Sequence, residues 1–146
     1  MRRVNFYHRF IGCFLILTAG FFGSSYSQTI PYWMQGKFRD DYRINYMLTD
    51  TLWFQLPNAK FHILKWNLEE EYIIAGNDTA NPGEQGLFTR IDYMKFEGMA
   101  PYHWGFCLTE YKAASAEDAS KKPPPDRKNP RKGCNGFPFS RMRRSW

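Results

Sequence analysis

The sequence predicts an all-β protein, a small antiparallel meander that is barrel-like. Three observations carry this. Apolar and polar residues alternate with a period of two, extended runs recur roughly every 8–12 residues between turn residues, and no long segment sustains helical spacing. Aromatic residues make up 18% of the chain, enough to fill a small core and supply cross-strand pairs.

The runs follow in order. In 42–48, Tyr42, Ile44, Tyr46 and Leu48 alternate with Arg43, Asn45 and Met47. Thr49-Asp50 marks a tight turn, and 51–56 (TLWFQL) is extended up to Pro57-Asn58. Residues 60–66 (KFHILKW) are β-rich on both faces, 67–69 turn, and 71–75 (EYIIA) resume. A polar loop over 76–86 leads into 87–96 (LFTRIDYMKF), the clearest strand. Gly98 and Pro101 break it from 102–111 (YHWGFCLTEY). Residues 113–119 (AASAEDA) suit a short helical turn, and 112–132 as a whole, rich in Ala, Lys and Pro, read as a flexible loop. Gly and aromatic residues return in 133–146.

The first 27 residues have the order of a cleavable secretory signal. Arg2, Arg3 and Arg9 precede an apolar run over 10–22, and Ser25 and Ser27 stand at the −3 and −1 positions of a cut before Gln28. The run is short for a bilayer span of about 20 residues; an uncleaved anchor is the alternative. Cys13 opens the apolar run, where a lipidated cysteine would follow one. The expected location is therefore periplasmic or extracellular. The remaining chain has the length of one domain, divided into a β domain at 28–111, the loop at 112–132 and a C-terminal segment at 133–146.

Charge divides at the same point. Residues 28–111 carry 7 Lys/Arg against 11 Asp/Glu, net −4, whereas 112–146 carry 10 against 3, net +7. A basic segment of this kind is either a solvated tail or a contact for an anionic surface such as lipid headgroups or a polyanionic glycan. No nucleic-acid partner is expected.

Removal of Cys13 with the signal leaves Cys107 and Cys134. In an oxidising compartment they allow one intramolecular disulfide, which would dock 133–146 onto the body. A free buried thiol or an intermolecular bridge is the alternative. Without suitably spaced histidines the pair makes a poor zinc site, and neither a metal nor another cofactor is expected.

No catalytic motif stands out. His62 and His103 lie in no metal-spaced or triad order. Arg39-Asp40-Asp41 with Arg43 reads as a solvated strand end, because adjacent strand residues point to opposite faces. Arg90 and Asp92 share one face of their strand with Phe88, Met94 and Phe96. If that face is interior, the two must pair and could orient a ligand headgroup; if Leu87, Ile91 and Tyr93 face inward, the charged residues lie outside. Trp66 and Trp104 join Arg90 and Asp92 as candidate ligand-binding residues, as walls of an aromatic pocket. Asn77-Asp78-Thr79 is a glycosylation sequon. Trp146 ends the chain as in some outer-membrane barrels, but Arg143 and Arg144 interrupt the alternation a membrane strand needs.

Two resemblances complete the reading. Through Trp104-Gly105-Phe106-Cys107 and the stretch from Gly133 to Met142 (GCNGFPFSRM), the chain resembles an uncharacterised family of exported bacterial proteins, which implies no activity. The order of elements is similar to that of lipocalin-like barrels. Gly36-Lys37-Phe38 stands where those have Gly-x-Trp, with Phe for Trp, and Thr89-Arg90-Ile91-Asp92-Tyr93 resembles their later Thr-Asp-x-Tyr pattern, with insertions. That similarity implies a carrier of a small apolar ligand. The leading expectation is an exported, non-enzymatic binding protein. The alternative is a structural or interaction protein of the cell envelope that uses the basic C-terminal segment. A hydrolase built on His62, His103 and scattered carboxylates is a third.

Overall fold

A computed structural model describes residues 29–145; the expected signal peptide, Cys13 and Trp146 lie outside the described residues. Eight antiparallel strands form a closed barrel in simple sequence order: β1 Gly36–Asp40, β2 Asn45–Leu48, β3 Leu52–Gln55, β4 Ala59–Asn67, β5 Tyr72–Asn77, β6 Phe88–Lys95, β7 Trp104–Ala113 and β8 Ser140–Arg144. Closure comes from β8, which lies between β7 and β1; Phe38, Arg39 and Asp40 stand opposite Arg144, Arg143 and Met142. Closure leaves no unpaired sheet edge. A helix, α1 (Ala116–Ser120), lies in the long β7–β8 connection and is capped by the Ser115 side chain, which accepts from the Asp118 amide.

Strand alternation divides the side chains. Phe38, Tyr46, Leu48, Trp53, Trp66, Ile73, Ile91, Tyr93, Trp104, Phe106 and Met142 belong to one buried core. Its centre is aromatic: the rings of Phe38, Tyr46, Trp53, Trp104 and Phe106 meet edge to face at centroid distances of 4.9–6.1 Å. Each such pair is worth about 0.5–1.5 kcal/mol beyond the area it buries.

One end of the barrel is closed by the segment before β1. Ile30 and Met34 are buried there, and Trp33 packs on Tyr93 and Trp104 at 6.0 and 5.9 Å. Arg144 holds this segment in place. Its guanidinium lies 5.0 Å from the centre of the Phe38 ring and donates to the carbonyls of Gln35, Tyr32 and Trp33. Gly36, at φ +115°, leads from the segment into β1, and a Cβ there would sit 3.1 Å from the Arg144 Nη1. The position therefore suits glycine on both conformational and steric grounds.

A smaller cluster lies outside the barrel. Tyr72, Ile74, Ala113 and Ala119 pack together beneath α1, with Phe88 and Ala116 beside them. This changes the reading of 112–132 as a flexible loop. The stretch includes the end of β7 and all of α1, and it lies against the barrel wall. The C-terminal segment likewise does more than dock, because 140–144 supply the strand that closes the barrel.

Candidate functional site

Arg90 and Asp92 project outward from β6, since Ile91 and Tyr93 between and beside them belong to the inner core. Outward does not mean exposed here: the β7–β8 connection covers both, and their relative exposures are 3% and 0%. Asp92 accepts from Arg90 Nε at 2.8 Å and Nη2 at 3.0 Å, from Arg127 Nη2 at 3.1 Å and from Thr109 Oγ1 at 2.6 Å. Arg90 also donates to the carbonyls of Ser120 and Lys122 and lies 4.0 Å over the Tyr72 ring. Arg127 donates to the carbonyls of Glu70, Glu71 and Tyr93. The pair, expected from the sequence to orient a ligand headgroup, straps the β7–β8 connection to the barrel.

The disulfide forms between Cys107 and Cys134, with Cα atoms 5.5 Å apart. Cys107 is two residues from Thr109 on β7, so the bridge adds a covalent tie to the same strapped wall. Trp66 and Trp104 are inner-core residues. The Trp66 indole donates to the Asp50 carbonyl at 2.8 Å, whereas the Trp104 Nε1 is buried with no hydrogen-bond partner among the described residues.

Other charged groups also depart from the sequence reading. Asp40, taken for part of a solvated strand end, is buried and accepts from the Ile44 amide and, at 2.9 Å, from the Tyr46 hydroxyl. Burial, and secondarily the Asp40 charge, push the Tyr46 hydroxyl far above the ordinary tyrosine range. Burial together with Glu71 raises Tyr93 to about 12. The Asn77 amide is buried and donates to the carbonyls of Glu84 and Tyr111, so the sequon nitrogen is committed inside the fold. His62 pairs with Asp78 at 2.6 Å on the β4 side of the barrel, whereas His103 precedes β7. The two histidines are thus three strands apart around the barrel, and no group of three or more His, Cys, Asp and Glu among the described residues could hold a metal.

A pair of arginines without ion-pair partners among the described residues lies on the outside of β1 and β8. Arg39 and Arg143 are directly opposite in register, and both face away from the core because Phe38, Asp40 and Met142 face into it. With Arg144, His103, Pro101 and Ser145 they line an open hollow of about 790 Å³ that has no carboxylate among its lining residues. Arg39 Nε is shielded from solvent and has no hydrogen-bond partner, and neither Arg39 nor Arg143 forms an ion pair among the described residues. The sequence hinted at this site only through the net +7 charge of 112–146. It did not link that charge to Arg39, which meets Arg143 only when the barrel closes.

Comparison of the chain with protein families, curated proteins and solved structures finds no match. No helix among the described residues is long and apolar enough to cross a membrane. The Cys107–Cys134 bridge is of a kind that persists in oxidising compartments, which is compatible with export.

Proposed function

We propose that this is an exported, non-enzymatic binding protein, lipocalin-like in architecture, that engages an anionic partner of the cell envelope. Contact is through the arginines on the outer face of β1 and β8. The observation that carries this is the Arg39–Arg143 pair: two guanidiniums abreast, without carboxylate partners, in a hollow of about 790 Å³. Like charges opposed across a sheet are unfavourable, and an anion between them relieves that cost. Guanidiniums suit the task because their fixed fork matches carboxylate and phosphate geometry. Export supplies the setting and rests on the basic, apolar and small-residue order of residues 1–27.

The test is co-sedimentation of the mature, disulfide-intact chain with phosphatidylglycerol vesicles and with phosphatidylcholine vesicles. Binding is expected on the anionic vesicles alone. It should weaken as salt rises, because exposed charges are screened within about 10 Å at 0.1 M, and it should be lost in Arg39→Gln/Arg143→Gln. Equal binding to both vesicles, or an unaffected variant, sinks the proposal.

One observation favours a second reading, a small, largely apolar ligand inside the barrel: the unpartnered Trp104 Nε1 at the core, which a single acceptor oxygen on such a ligand could satisfy. The edge-to-face rings around it speak for a filled interior. Native mass spectrometry of protein taken from its own envelope decides between the two, since a stoichiometric small molecule retained by Arg39→Gln/Arg143→Gln would place the ligand inside.

A further inference from the structure

A second hollow lies further along the outer face of β8, beside the arginine hollow. Two residues before Arg143 on β8, Arg141 is the outward side chain, and just past the end of β1 Asp41 follows two residues after Arg39. Here the charges are matched: Arg141 Nε donates to Asp41 Oδ2 at 2.8 Å, and the guanidinium lies 4.8 Å from the centre of the Tyr102 ring. Beyond that stack is this second hollow of about 670 Å³, lined chiefly by Tyr42, Phe96, Met99, Pro130, Pro138 and Phe139. Tyr42 is 62% exposed and Met99 37%. The β6–β7 connection overhangs both hollows, with Pro101 and His103 beside the arginines and Phe96 and Met99 beside the apolar part. Phe96 is held over Gly105, where a Cβ would come within 2.6 Å of its ring.

The wall is therefore polarised over a short distance. Two residues of strand span about 7 Å; over that distance the surface passes from unpaired cations to a self-neutralised ion pair, and beyond the pair lie aromatic, methionine and proline side chains with the single cation Arg131. The volumes fall within the range of about 300–1,000 Å³ typical of small-molecule sites.

We propose, resting on the reading of Arg39 and Arg143 as an anion site, that this groove takes one single-chain anionic amphiphile. Its charged head lies on Arg39 and Arg143, and its apolar chain passes Tyr102 to lie along Met99, Phe96 and Tyr42. Charge complementarity sets its direction, because Arg39, Arg143 and Arg144 converge in a hollow without a carboxylate, whereas the lining of the second hollow is mainly apolar and carries, besides the mutually paired Asp41 and Arg141, the single cation Arg131. The occupant is a lipid-like molecule bound singly and on the outside of the barrel.

The experiment is calorimetric titration of the mature, disulfide-intact chain with octyl phosphate below its micellar range, alongside inorganic phosphate and the uncharged octyl glucoside. Octyl phosphate is expected to bind once per chain, roughly tenfold or more tighter than either control, since burying several methylenes adds to the charged contact. Arg39→Gln/Arg143→Gln should reduce octyl phosphate to the level of octyl glucoside. Tyr42→Ser/Met99→Ser should reduce it to the level of inorganic phosphate. All four positions are at the surface or half-buried, and thermal melts of each variant confirm folding. If octyl phosphate binds no tighter than inorganic phosphate while both depend on Arg39 and Arg143, the amphiphile inference fails and the anion site stands. If neither anion depends on those arginines, the underlying reading fails as well.

Discussion

Replacing Asp92 with alanine tests the claim that the buried ion network around Arg90 and Asp92 holds the barrel wall together. The Asp92 side chain is fully buried and accepts from Arg90, Arg127 and Thr109. Its removal leaves the Arg90 guanidinium, with 4% of its side chain exposed, without a counter-charge. Breaking a buried pair on one side costs about 3–5 kcal/mol. Arg127 adds little, because it is 24% exposed and keeps its three carbonyl acceptors. Thr109 loses one hydrogen bond, worth about 1 kcal/mol. The expected loss is therefore about 3–5 kcal/mol against a typical total of about 5–15, and a fall in Tm of roughly 10–20 °C for a domain of this size. Urea and thermal unfolding followed by circular dichroism at neutral pH, with the disulfide intact, measure it. The companion Arg90→Met/Asp92→Leu removes both charges and should recover most of the loss, as replacement of buried pairs by apolar residues often does. A loss below about 1 kcal/mol for Asp92→Ala, or a double variant as unstable as the single one, would refute the reasoning.

Other expectations follow from the same structure. Cys107→Ser/Cys134→Ser opens a loop with a sequence separation of 27 and should lower stability by about 3–4 kcal/mol on the chain-entropy account, read as a shift in the urea midpoint. Gly105→Ala places a methyl within 2.6 Å of Phe96 and 2.9 Å of the Ser140 carbonyl; with backbone on one side it should cost about 1–3 kcal/mol, and an unchanged Tm would contradict the packing described. Tyr46 and Tyr93 are both held above the ordinary tyrosine range, Tyr93 at about 12. Stability from keeping them neutral is therefore complete below about pH 10 and falls as pH rises toward the folded value; ultraviolet titration should show two tyrosines ionising only as the alkaline transition unfolds the chain. Glu110 is held below its ordinary value, first by its hydrogen bond from Lys122. Its contribution is thus present above the unfolded carboxylate range and lost as pH falls through the folded value, and Glu110→Gln should flatten that acid limb.

The sequence by itself determined the β class, pointed to a bridge between Cys107 and Cys134 and set which residues of a strand share a face. Tyr46 shares a face with Leu48, and Ile91 with Tyr93, as a period of two requires, because pleating makes side-chain direction a local property; that these faces are the inner ones came from the structure. Turns at Thr49-Asp50 and Pro57-Asn58 were legible for the same reason, since their residues favour turn geometry wherever they occur. What the tertiary structure alone decided is everything that depends on the two ends of the chain meeting. β1 and β8 are short and charged, and no local pattern marks them as partners; Asp41 and Arg141, which bond across that seam, are 100 residues apart. Only this closure sets Arg39 beside Arg143 and creates the cationic hollow. The same holds for Arg90 and Asp92. Alternation could place them on one face, but whether that face met solvent, ligand or protein depended on where the β7–β8 connection lay. Lys- and Pro-rich residues with little apolar bulk read as a solvated loop. They are ordered here because Arg127 and the backbone carbonyls of Ser120 and Lys122 satisfy buried charge, an interaction between distant residues that leaves no trace in local composition.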